Sequence, residues 1–197
     1  MAKVLVEVSA RHLHLTQEHV ETLFGKEHQL TPLKWLSQPK MFAAEETVTL
    51  VTPKTSIENV RVLGPARNYT QVEISRTDAI RFGLEPPIRD SDEINLDGTP
   101  GIRIIGDKGE LKLEKGVIMS WRHLHVSNNQ ALELGVTDGQ VVKIKIDGER
   151  GLIFENVLVR VHSDFSSAVH LDTDEGNAAG IKGSVIGELI VEKNQLC

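Results

Sequence analysis

A mainly β fold (α+β) made of two related halves is what this 197-residue sequence predicts, on three observations. Sixteen glycines and repeated Val/Ile alternation suit half-buried strands joined by tight turns, leaving helix the minority. A five-residue phrase occurs twice, as Arg11-His12-Leu13-His14-Leu15 and Arg122-His123-Leu124-His125-Val126. Farther along, Ile57-Glu58-Asn59-Val60 returns as Phe154-Glu155-Asn156-Val157.

Taken in order, each element has a local cause. Val-Leu-Val-Glu-Val-Ser-Ala runs as a strand into the first histidine pair. Residues 16–25 then form a short helix, with Thr16 as cap and Gly25 as stop. A loop passes through Pro32 and Pro39. The β-prone runs 46–51 and 57–63 flank Thr-Pro-Lys-Thr-Ser and predict a hairpin. Residues 64–71 make a turn-rich loop holding Arg67, which leads into a strand over 72–78 and one helical turn over 79–84. Pro86-Pro87 breaks the chain, and Asp97-Gly98 with Pro100-Gly101 marks a connection. The division predicted is therefore 1–100 and 101–197, with the alternative that the first strand packs into the other half. In the second half a strand leads to the second histidine pair, a helix spans 127–135 between Ser127 and Gly135, and strands follow over 141–146 and 152–161.

The formal net charge is −6 and the sequence pI about 5.8, which speaks against nucleic acid or an anionic membrane as partner. No apolar run has the length of a membrane helix, and no signal-peptide pattern opens the chain, so the expected location is cytoplasmic. Cys197 is the one cysteine, which excludes an intrachain disulfide and a zinc site built from several thiolates. Any metal must be held by histidine and carboxylate.

In a strand, residues i and i+2 share a face, so His12 with His14 and His123 with His125 each present two imidazoles to one point. Carrying the register of the second repeat forward without a gap aligns Glu73 with His170, and Thr77-Asp78 with Asp174-Glu175. The pairs lie 111 residues apart and the later segments 97, so the first half holds 14 extra residues, assigned to its proline-containing loop. Each half thus supplies three candidate ligands: His12, His14 and Glu73, then His123, His125 and His170. Such sets suit zinc with one open position, as at a catalytic centre. A closed zinc site, or histidines that bind no metal, is the competing reading, and which ligands share an ion stays open. His19, His28 and His162 lack a register and read as surface or packing residues. Asp172, Asp174 and Glu175 read either as groups orienting His170 or as a solvated acidic turn. Arg11 and Arg122 alternate out of phase with the histidines and should point away, which leaves Arg67 as the phosphate candidate. Neither a cupin, whose glycine spacing is missing, nor an amidohydrolase barrel, which needs a longer chain, fits these His-x-His pairs.

The segments Ser9-Ala10-Arg11-His12-Leu13-His14-Leu15, Asn59-Val60-Arg61-Val62-Leu63-Gly64-Pro65, Gln71-Val72-Glu73-Ile74-Ser75-Arg76-Thr77-Asp78-Ala79, Arg122-His123-Leu124-His125 and His170-Leu171-Asp172-Thr173-Asp174-Glu175 together resemble the PduL-type phosphate acyltransferases. The resemblance extends over nearly the whole chain. It implies two pseudo-repeated β-barrel domains with short capping helices, a dinuclear zinc site between them, and reversible transfer of a short acyl group, propanoyl or acetyl, between coenzyme A and phosphate. It further implies that the two histidine pairs, Glu73 and His170 bind the metals and that Arg67 holds phosphate. Two departures stand out. Where some members place a cysteine near the metals, this chain has Ser75. Members that work in bacterial microcompartments carry an N-terminal amphipathic helix, whereas this chain enters a strand within a few residues of Met1, so a free cytoplasmic enzyme rather than a shell-attached one is expected. A homodimer is expected from apolar strands on small barrels. The sequence offers no activated serine or cysteine, so direct attack of phosphate on the thioester is the expected route. A zinc-dependent thioesterase and a non-catalytic metal-binding barrel are the alternatives.

Overall fold

Short alternating runs build most of the chain into strands, and glycine, proline and capping residues decide where each one stops. The computed structural model describes residues 2–92 and 94–191; Cys197 lies outside them. Among the described residues the order is β1 (Ala2–Ser9), β2 (His12–His14), α1 (Gln17–Phe24), β3 (Pro32–Trp35), β4 (Phe42–Val51), β5 (Ser56–Gly64), β6 (Gln71–Glu73), α2 (Arg76–Phe82) and β7 (Ile88–Arg89). It continues with β8 (Ile102–Ile105), β9 (Glu110–Leu113), β10 (Val117–Ser120), β11 (His123–Val126), α3 (Asn128–Leu134), β12 (Val141–Ile146), β13 (Leu152–Val161), β14 (Ala168–Asp172), α4 (Thr173–Ala178) and β15 (Ser184–Ile190). The fold is mainly β with short helices, as predicted.

Two compact units form. Among the described residues, one comprises residues 10–36 and 40–120, the other residues 2–9, 37–39 and 121–191. In the second, six strands close a barrel in the order β1, β14, β11, β13, β12, β15. The closing strand is β1, parallel to β14 on one side and antiparallel to β15 on the other. Val4 and Val6 of β1 join Leu124, Ile144, Val159 and Leu171 in its core. In the first unit a nine-stranded sheet follows the path β7, β10, β6, β2, β5, β4, β8, β9, with β3 paired to β4. This path has two ends, so of the two β-barrel domains expected one is a closed six-stranded barrel and the other a half-barrel sheet. Leu13, Val20, Leu50, Val62, Val72 and Phe82 anchor the core of this sheet.

The helix caps match the sequence. Thr16 accepts the His19 amide at 3.2 Å, and Ser127 with Gln130 forms a capping box before α3. Three boundaries differ from expectation. The strand read over 72–78 ends at Glu73, because the Ser75 hydroxyl caps α2 by accepting the Asp78 amide at 3.3 Å. The proline loop contains β3, an edge strand that Pro32 can open because no ladder bond is needed from its nitrogen. Finally, β4 starts at Phe42, whose register partner is Gly64. A Cβ at Gly64 would collide with the Phe42 ring, so only glycine fits there.

Candidate functional site

In the first unit β2 and β6 run antiparallel, pairing His12 with Glu73, Leu13 with Val72 and His14 with Gln71. Leu13 and Val72 enter the core, so alternation puts His12, His14, Gln71 and Glu73 together on the opposite face. In the barrel β11 and β14 repeat the arrangement, pairing His123 with His170, Leu124 with Val169 and His125 with Ala168. Both predicted trios assemble. In each, the candidate ligand atoms of His12, His14 and Glu73, or of His123, His125 and His170, lie within 4.8 Å of one another.

The local backbone orients the leading imidazole of each pair in the same way. His12 Nδ1 lies 2.8 Å from the Ala10 carbonyl and His123 Nδ1 lies 2.7 Å from that of Trp121. Each Nδ1–H donates to its carbonyl, which leaves the Nε2 lone pair for a ligand role. His12 Nε2 sits 3.4 Å from Glu73 Oε1, and His14 Nε2 sits 3.8 Å from it. One buried nitrogen, His170 Nε2, has no hydrogen-bond partner. An orphaned imidazole nitrogen within such a cluster fits a divalent cation, and three imidazole or carboxylate donors are a set that zinc accepts.

Electrostatics in the first trio favour the ligating protonation states of His14 and Glu73 and oppose that of His12. Burial resists charge on His12, but the adjacent Glu73 carboxylate and the Ala10 carbonyl outweigh it and raise the pKa. His14 is held well below the ordinary histidine value by burial and by the charges of Arg67 and His12. Burial also resists ionisation of Glu73, yet His12, His14 and Arg67 draw it far below the usual carboxylate range. At neutral pH the trio therefore presents a carboxylate and a neutral His14. A cation bound there would work against the raised pKa of His12, because ligation needs its neutral imidazole.

Arg67 sits in the loop between β5 and β6. Its amide donates to the Leu15 carbonyl at 2.8 Å, tying the loop to the residue after His14. Its guanidinium lies 5.9 Å from the Tyr69 ring centroid and reaches Tyr69 Oη and the Ser91 carbonyl, each at 3.4 Å. Its charge acts on all three members of the trio. The other arginines turn elsewhere. Arg11 Nε meets Asp78 Oδ2 at 2.7 Å and Arg122 Nε meets Glu175 Oε1 at 2.7 Å. Asp78 and Glu175 stand in the first turns of α2 and α4, so each pair clips a helix start to the strand carrying a histidine pair.

Two of the acidic residues considered as orienters of His170 have another task. Asp172 accepts the Glu175 amide at 2.8 Å and Glu175 accepts the Asp172 amide at 3.0 Å, a capping box at the head of α4. His19 pairs with Thr70 at 2.7 Å, His28 with Glu46 at 2.7 Å, and His162 Nδ1 accepts the Asp164 amide at 3.2 Å, so these histidines are structural. One residue escaped the sequence reading. Glu7 on β1 faces His170 across the parallel pairing with β14, its Oε2 3.6 Å from His170 Nε2, and Ser37 Oγ donates to it. A single acid within a valine-rich strand was the available signal.

Fold and side chains together define a duplicated β protein that carries in each unit one group of three side chains able to hold a metal ion. The chain belongs to the phosphate propanoyltransferase family, whose model matches residues 5–182. It is 56% identical to the phosphate propanoyltransferase of Thermotoga maritima over 177 residues, which is 89% of this chain and 83% of that protein. The Salmonella typhimurium protein of the same name is 51% identical over 88% of this chain and 81% of its own length. That of Leptotrichia buccalis is 49% identical over 94% and 87%.

Proposed function

We propose that the chain is a phosphate acyltransferase that moves a short acyl group, propanoyl and also acetyl, between coenzyme A and phosphate, with zinc held by each of the two trios. The observation that carries this reading is Arg67, tied by its amide to the residue after His14, in a family member whose adjacent trio could hold a metal ion. When bound, zinc supplies Lewis acidity for a carbonyl and a soft partner for a thiolate. The protein's residues do the rest. His12 and His123 are pre-oriented by backbone carbonyls, Glu73 contributes negative charge, and Arg67 offers a planar fork to a phosphate dianion. A phosphate oxygen attacks the thioester carbonyl carbon, the C–S bond breaks, and the thiolate leaves as coenzyme A, taking up a proton. Transfer is direct in this reading: the sequence offers no activated serine or cysteine, and the Ser75 hydroxyl serves as the cap of α2. A homodimer is part of the reading: Leu33 and Trp35 on β3, both more than half exposed, supply apolar surface for a second copy, and sedimentation tests it. The expected location is the cytoplasm. Among the described residues no helix is long and apolar enough to cross a membrane.

The test is coenzyme A release from propanoyl-CoA and acetyl-CoA, with and without phosphate, on protein of measured zinc content. Phosphate-dependent release with formation of acyl phosphate is the expected result. Release that ignores phosphate would identify a thioesterase, and silence at full zinc occupancy would identify a binding protein. An acylated chain trapped with acyl-CoA alone would overturn direct transfer.

A further inference from the structure

The fourth corner of the first trio's face is Gln71, and its side chain is fully buried. Neither Nε2 nor Oε1 has a hydrogen-bond partner. Burying an amide without partners is costly, so native proteins rarely retain one unless something else fills the role. The hydrophobic core does not explain its position. Its strand neighbour Val72 points into that core, and alternation places Gln71 with Glu73 on the other face, directly opposite His14. The barrel is a built-in comparison. There the same corner is Ala168, which needs no partner, opposite His125.

We propose that Gln71 is a substrate-positioning residue whose amide is reserved for hydrogen phosphate, the acceptor in the reaction proposed above, on which this inference rests. The chemistry selects the ligand class. Gln71 leaves both the N–H donors of Nε2 and the acceptor Oε1 open. A thioester carbonyl can satisfy only a donor. A hydrogen phosphate satisfies both kinds, accepting from Nε2–H through an unprotonated oxygen and donating its P–OH to Oε1. Arg67, four residues earlier and electrostatically coupled to the same trio, supplies the charge that a neutral amide lacks. Together they form a neutral and a cationic contact for one tetrahedral oxyanion, on the half of the molecule that also carries Glu73.

The test uses zinc-loaded wild type, Gln71→Met, an apolar side chain of the same length, and Gln71→Glu, which adds a negative charge of the same shape. Phosphate binding is measured by calorimetry, KM for phosphate and for propanoyl-CoA by kinetics, and thermal midpoints in phosphate-free buffer. The expected result for Gln71→Met is about tenfold weaker phosphate binding and a matching rise in phosphate KM. The propanoyl-CoA KM should stay within about twofold, zinc content should be unchanged, and the midpoint should be equal or higher, because an unsatisfied amide has been removed. Gln71→Glu should weaken phosphate further. Unchanged phosphate affinity in both variants, equal weakening of both substrates, loss of zinc, or a lowered midpoint with phosphate affinity intact would each overturn the role and return Gln71 to a structural, water-satisfied group. Wild type that binds no phosphate would instead sink the acyltransfer reading itself, and the role of Gln71 with it.

Discussion

Where β2 crosses β6, the four positions of one face hold His12, His14, Gln71 and Glu73; where β11 crosses β14, the same positions hold His123, His125, Ala168 and His170. The supports around them are alike. Each leading histidine donates to the carbonyl two residues before it, each arginine before the pair clips a carboxylate 2.7 Å away at a helix start, and Asn59 and Asn156 share a left-handed backbone at φ 57°. What differs is charge. The first unit has Glu73, Gln71 and Arg67, whereas 97 residues on the barrel has His170, Ala168 and Asp164. Duplication has kept the frame that aims imidazoles and changed the charged and polar groups around them. The first trio is therefore the side expected to receive phosphate, and the barrel's trio, drawing Glu7 from β1, the side expected only to hold its ion.

The largest test of this comparison removes one trio at a time. His14→Ala and His125→Ala should each lower acyl transfer by more than about 100-fold, because even groups that merely support a ligand cost 10–100-fold. Each variant should lose one zinc equivalent by metal analysis, and loss of both ions from either variant would show that the trios are not independent. Next in size is the contrast between Arg67→Ala and Asp164→Ala. Loss of a charge-assisted contact to phosphate should raise phosphate KM about 30-fold in the first, while the second changes it by less than about threefold. Equal effects would erase the asymmetry between the halves.

A smaller effect sharpens the similarity instead. Arg11→Ala and Arg122→Ala loosen equivalent clips and should each weaken zinc affinity about tenfold, read by competition with a chromophoric chelator. The smallest concerns Glu46, which accepts from His28 at 2.7 Å and from the Thr31 amide at 3.0 Å. Burial opposes its charge, but these bonds outweigh it and lower its pKa. A carboxylate whose folded pKa is depressed adds stability that is present above its unfolded pKa and is lost as pH falls through the folded value. Glu46→Gln should thus cost about 1–2 kcal/mol at neutral pH, and the difference from wild type should close in acid, as seen in thermal midpoints against pH. The barrel residue 97 positions on is Lys143, in a surface pair with Glu155, and Lys143→Met should leave that acid profile unchanged.

Short-range physics was legible in the sequence. Strand alternation, the caps Thr16 and Ser127, the stops Gly25 and Gly135, and both trios followed from patterns of a few residues plus one ungapped repeat register. The repeat located Glu73 and His170 because two copies of one fold constrain each other even when their side chains differ. Only the tertiary structure showed that β1 closes the barrel at the far end of the chain, that Glu7 thereby faces His170, and that Gln71 is buried without a partner. Each of these depends on which strand pairs with which, and in what register, over separations of up to more than a hundred residues. Local propensity is blind to such pairings, because their energy comes from contacts that exist only once the sheet has formed.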